Sequence, residues 1–183
     1  MEQISDISKF VGRFHPVIVH LPIGIITLTL LFQLFSIPPY QTKLKPALPL
    51  MWFCGFISCF ISVILGLLLY SSGEYDEDIV SWHKWSGIAL TLTTFLYYLS
   101  FVIKLDGAIA AYTKYLKPLL IMVIFAMLLL SGHNGGSLTH GKGYLTEYAP
   151  GFISNRMRES EIKTARKRIE SIDSADLFSD AIL

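Results

Sequence analysis

Residues 47–70 read ALPLMWFCGFISCFISVILGLLLY, twenty-four residues without one charged side chain. As a helix rising 1.5 Å per residue this stretch reaches about 36 Å, enough to cross a hydrocarbon core about 30 Å thick. Outward from it lie three more segments of the same kind, residues 16–36 before it and residues 81–103 and 116–131 after it, with the charges collected in the gaps. Lipid offers no hydrogen bonds, so a spanning segment must pair its own backbone groups, which a helix does. Short connections between four such helices predict an up-down-up-down bundle. The expected fold class is therefore all-α integral membrane, with four transmembrane helices and a short extramembrane C-terminal helix or tail.

Composition agrees. Apolar residues make up 52% of the 183-residue chain and charged residues 16%, against about 25% charged in soluble domains; mean hydropathy is +0.52. A net charge of +1 gives no basic footprint for nucleic acid. Cys54 and Cys59 sit five apart inside an apolar run and point to different helix faces, so they read as small core hydrophobes. No C-x-x-C-H occurs, which excludes covalent attachment of a c-type haem to this chain. Pro38 and Pro39 stop the first span. That span is expected to be retained, because its polar lead carries both charge signs and no A-x-A-like cleavage site follows. After Gly143 the character changes, and residues 155–173 are dense in Arg, Lys and Glu with Ile at intervals. The expected organisation is a bundle over residues 1–143 and a charged tail over residues 144–183 that forms a short docking helix.

The loops set an orientation. One side holds Lys43, Lys45, Lys104, Lys114 and Lys117 against a single acid, Asp106; the other holds both termini and the acidic Glu74, Asp76, Glu77 and Asp78, with Lys9, Arg13 and Lys142. The positive-inside rule assigns the lysine side to the cytoplasm, so both termini face the periplasm.

All five histidines fall on the second side. They are His15 and His20 in FHPVIVHLPIG (14–24), His83 in WHKW (82–85), and His133 and His140 in GHNGGSLTHG (132–141). Imidazole is a common ligand of haem iron and of copper or zinc. His15 and His20 stand about 140° apart around one helix, so both cannot reach one iron from one face. His20 lies about a turn deeper, where an unpartnered imidazole is costly, and reads as the stronger ligand, with His15 as ligand or supporting partner. His83 is flanked by interfacial Trp82 and Trp85, and Gly87 one turn on leaves room for a flat macrocycle; the plainer reading is an aromatic belt with an incidental histidine. The five glycines from Gly132 to Gly143 are read as ending the fourth helix and folding a loop back over the bundle mouth.

Together these residues predict haem b, one or two per chain. His20, His83, His133 and His140 are the candidate iron ligands, and Arg13, Lys84 and Lys142 the propionate partners. Phe14, Trp52, Phe53, Trp82, Trp85 and Phe125 offer apolar surface for the macrocycle. Two other classes stay open: a copper- or zinc-binding membrane protein using the same histidines, and a cofactor-free anchor or assembly subunit whose histidines only cap helices.

The combination FHPVIVHLPIG, WHKWSG and GHNGGSLTHGKGYLT, over residues 13–150, resembles a largely uncharacterised family of bacterial four-helix membrane domains often fused to periplasmic c-type cytochrome modules. The resemblance implies a b-type cytochrome-like subunit of the bacterial inner membrane. Such a subunit relays electrons between the quinone pool and periplasmic c-type cytochrome or dehydrogenase subunits, as part of an oxidoreductase complex rather than as a stand-alone enzyme. His15, His20, His83, His133 and His140 carry over as the motif histidines. No cytochrome module follows the tail here, so the expected redox partner is a separate subunit docked on residues 144–183.

Overall fold

The computed structural model describes residues 2–34, 44–71, 75–103, 107–146 and 148–152, together with residues 155, 159, 162, 163 and 166. Pro38, Pro39, Lys43, Glu74, Lys104, Asp106 and most of residues 155–173, all used in the sequence reading, lie outside them. The described residues form an all-α protein. Its elements are α1 (Glu2–Gly12), α2 (His15–Ile18), α3 (His20–Leu34), a single 3-10 turn (Lys45–Ala47), α4 (Leu48–Tyr70), α5 (Glu77–Val102) and α6 (Gly107–His140). Among the described residues, four stretches are long and apolar enough to cross a membrane: Asp6–Leu34, Lys45–Tyr70, Glu77–Val102 and Tyr115–His140.

The first span starts ten residues earlier than hydropathy alone suggests. α1, α2 and α3 follow one another as a broken rod, because Pro16 and Pro22 lack the N–H that would pair with the carbonyls of Gly12 and Ile18. The Val17 and Ile18 amides bond the Phe14 carbonyl instead, and Ile23 bonds Val19. α1 can lie against α4 because residue 12 is glycine: a Cβ there would stand 2.6 Å from the Leu69 nitrogen.

Successive spans run antiparallel. Gly12 meets Leu68 and Leu69 while a Cβ on Gly55 would meet Ile26, which fixes the first pair. Trp52 packs on Tyr97 with ring centroids 4.5 Å apart and Phe56 on Phe95 at 4.6 Å, which fixes the second. His83 meets Ser131 near one end of the third pair, and the Lys117 ammonium sits over Phe101 near the other. α5 starts on the Asp76 carboxylate, which accepts from the Ile79 amide at 3.2 Å, and Glu77 and Asp78 complement the positive end of the helix.

The core is narrow. Ile26, Thr29, Trp52, Thr94, Tyr97 and Ile124 are sealed from solvent. Buried hydroxyls bond back to their own helices, Thr29 to the Ile25 carbonyl and Thr94 to that of Leu90, so these two enter the core with their donors satisfied. Outside it stands a belt of exposed large apolar residues, among them Ile23, Leu31, Phe53, Phe60, Leu92, Leu96, Met122 and Leu129. A surface of that kind around all four spans is matched to lipid, not water. Cys59 is a buried free thiol and Cys54 an exposed one.

α6 does not end at the glycines. Helix continues through Gly132, Gly135 and Gly136 to His140, in place of the loop expected there, and the Asn134, Ser137 and Thr139 side chains bond carbonyls of the preceding turn. The stop comes at Gly141 and Gly143, whose φ of +97° and +81° only glycine adopts freely. The chain divides into two compact units, Met1–Thr139 and His140–Leu183. In the second, His140 stacks on Tyr144 at 4.3 Å, and turns close from Tyr144 to Gly141 and from Thr146 to Gly143.

A candidate bis-histidine centre inside the bundle

His15 stands where the first span is interrupted and faces α4. Its Nδ1 lies 2.9 Å from the Ser62 carbonyl oxygen. A carbonyl only accepts, so Nδ1 carries the proton and, in the neutral ring, the free lone pair belongs to Nε2. His83, one and a half turns into α5, faces α6 in the same way, with Nδ1 3.0 Å from the Ser131 carbonyl oxygen and its lone pair likewise on Nε2. The two rings meet edge to face, with centroids 5.9 Å apart and planes at 77°.

A glycine four residues beyond each acceptor makes this possible. In a helix the side chain at i+4 crowds the approach to the carbonyl of residue i, and here those positions are Gly66 and Gly135. A Cβ on Gly66 would fall 2.9 Å from His15 Cε1, and one on Gly135 3.0 Å from His83 Cε1. Each imidazole lies directly on a glycine's backbone.

The two halves of the bundle share one register around these histidines. Positions −3, +7, +11 and +14 from His15 are Gly12, Pro22, Ile26 and Thr29; from His83 they are Val80, Leu90, Thr94 and Tyr97, and all eight are buried. Seven residues before Ser62 and Ser131 stand Gly55 and Ile124, both buried. The histidine pair thus lies at a matched depth in the two halves, where the first and third spans approach each other.

The remaining sequence candidates fall elsewhere. His20 is exposed, and its Nδ1 donates to the Val17 carbonyl of its own chain segment at 3.2 Å. His133 is half-buried on α6 two residues before Gly135. His140 belongs to the second unit with Lys142. Arg13 is exposed, and Lys84 places its ammonium over the Tyr70 and Trp85 rings at 4.7 and 5.8 Å. Gly87 faces the Ser131 hydroxyl rather than an open slot. Trp52 lies ten residues from Ser62 along α4, about 15 Å from the histidine level, and packs on Tyr97. Ser62, Gly66, Ser131 and Gly135 escaped the sequence reading. The pattern that marks them is His-x46-Ser-x3-Gly in the first half and His-x47-Ser-x3-Gly in the second.

Chemically, the centre offers two fixed imidazole lone pairs inside a bundle and little else. No group of three or more His, Cys, Asp or Glu side chains able to hold a metal ion occurs among the described residues. At metal–nitrogen bonds of 2.0–2.1 Å, two imidazoles on one ion have ring centroids within about 6.4 Å of each other, so a separation of 5.9 Å suits a shared ion.

The model of one protein family, described as a predicted membrane protein (DUF2231), matches residues 13–147, a stretch containing all five histidines. No curated protein and no solved structure matches the chain.

Proposed function

Since the chain belongs to the DUF2231 family of predicted membrane proteins, and two anchored imidazoles converge inside its bundle, we propose that it is a b-type cytochrome-like electron-transfer subunit. The observation that carries this reading is the pairing of His15 with His83, each oriented by a backbone carbonyl and each presenting Nε2. Metal-ligating histidines are typically held this way, with the second ring nitrogen donating to an oxygen. Two protein ligands are what a six-coordinate haem requires, since its macrocycle supplies the other four; a zinc site needs three or four side chains. The ligand number therefore favours haem over zinc.

In this reading His15 and His83 hold the iron, the Ser62 and Ser131 carbonyls fix the tautomer and raise ligand basicity, and Gly66 and Gly135 fix ring position. The haem, when bound, supplies one-electron transfer. The apolar spans exclude water and keep the centre's charge state tied to electron exchange. His20 and His133 serve a second haem or the exit side. The subunit sits in the bacterial inner membrane with both termini periplasmic. It relays electrons between quinone and a periplasmic c-type cytochrome or dehydrogenase subunit docked on residues 144–183.

The test is a reduced-minus-oxidised optical spectrum with a haem-to-protein ratio, on protein purified from cells with ample haem. A haem b band that disappears in His15→Ala and in His83→Ala is expected. Protein that folds and assembles without any such band refutes the reading and leaves the cofactor-free anchor in its place.

A further inference from the structure

At the opposite end of the bundle, Gln33, Lys45, Leu48, Tyr97, Phe101 and Lys117 line a cavity of about 560 Å³. Gln33 is eighteen residues beyond His15, about 27 Å along the first span, so this cavity is no part of the histidine centre. Its chemistry is mixed in an ordered way. Leu48 and Phe101 give it an apolar wall. The Gln33 amide nitrogen donates to the Tyr97 hydroxyl across the bundle. The Gln33 carbonyl oxygen is buried and has no hydrogen-bond partner among the described residues. Two ammoniums, Lys45 at the start of the second span and Lys117 near the start of the fourth, complete the lining, with Lys117 held over the Phe101 ring at 5.0 Å.

Two lysines at the end of a bundle, above an apolar wall, match a lipid phosphate with its acyl chains along the helices. We infer that this cavity holds the headgroup of an anionic glycerophospholipid. Its phosphate pairs with Lys45 and Lys117, and its acyl chains follow the apolar wall of Leu48 and Phe101. A phosphoglycerol head leaves the phosphate charge for the two lysines, whereas a phosphocholine head cancels it with its own ammonium.

Native mass spectrometry of the full-length protein in detergent, titrated with phosphatidylglycerol, phosphatidylcholine or inorganic phosphate, tests the inference. One phosphatidylglycerol is expected to remain bound under conditions that strip phosphatidylcholine. Lys45→Gln and Lys117→Gln each weaken its retention about fivefold and the double variant about thirtyfold. Lys84→Gln, at the other end of the bundle, leaves it unchanged. Equal retention of the two lipids overturns the inference, as does undiminished binding in the double variant. Displacement of the lipid by millimolar inorganic phosphate also overturns it, in favour of a soluble anion. Lys45 is exposed, so the single Lys45→Gln variant keeps the test open should the double variant fold poorly. None of these outcomes depends on haem content, which is read separately.

Discussion

His15 and His83 are sixty-eight residues apart in the chain, yet each donates its Nδ1 proton to the carbonyl of a serine on the next span and each lies on a glycine one turn past that serine. Matched carbonyl partners and a glycine beneath each ring give the two imidazoles equal claims on whatever they hold. If they share one ion, removing either should destroy the centre as completely as removing both. We predict that His15→Ala, His83→Ala and the double variant all lose bound haem to the same extent, measured as haem per protein, whereas His20→Ala, whose ring is exposed and bonded within its own segment, retains most of it. Independent, additive losses would show that the rings serve different groups.

The glycines beneath the rings give a separate prediction. Alanine stabilises a helix interior by roughly 0.5–1 kcal/mol relative to glycine, so Gly24→Ala and Gly132→Ala, where a Cβ meets nothing within 4 Å, should be neutral or slightly stabilising. Gly66→Ala and Gly135→Ala gain the same propensity but drive a methyl into an imidazole at 2.9–3.0 Å. The ring must tilt, and the proposed site should lose at least tenfold in haem affinity, the range for disturbed support of a metal ligand. Thermal melts and haem titration on the four variants separate the two effects; unchanged affinity in both Gly66→Ala and Gly135→Ala would remove the rings from the site.

The four spans were legible because hydropathy needs no knowledge of neighbours: residues 48–70 are apolar all round and can only be a helix in lipid. The helical start before Pro16 was not, since Gly12 reveals its purpose only once Leu69 lies against it. The run of glycines after Ser131 misled for a related reason. Glycine breaks isolated helices, but Gly135 is there to admit a ring from another span, and the back-bonded Asn134, Ser137 and Thr139 side chains carry the helix past it. The sequence reading found the histidines by their place at span ends. Which two of them meet depends on helix rotation, and depth alone favoured His20 over His15.

Packing at the centre of the bundle turns on Ile26 and Gly55. A Cβ at residue 55 would stand 3.2 Å from Ile26 Cγ1 and 3.8 Å from Thr94 Cγ2. Gly55→Ala should therefore cost about 1 kcal/mol despite its better propensity, and Ile26→Ala about 2–4 kcal/mol through the cavity it opens. In the Ile26→Ala background the added methyl fills space, so Gly55→Ala should become neutral or stabilising. Reversible unfolding in mixed micelles would give the double-mutant cycle; simple additivity would mean that the two residues do not touch.

Orientation can be read with cysteines. The acids of the α5 cap, Asp76, Glu77 and Asp78, mark the same end as His15, while Lys45 and Lys117 mark the other. Positive residues are retained on the cytoplasmic side, because moving them across during insertion is costly. In a Cys54→Ser background, which leaves only the buried Cys59 thiol, Glu77→Cys should react with a membrane-impermeant maleimide on cells whose inner membrane is intact. Lys45→Cys should react only after that membrane is opened. The reverse pattern would place the histidine centre on the cytoplasmic face, where no periplasmic cytochrome reaches it, and would redirect the search for its electron partner to soluble cytoplasmic donors.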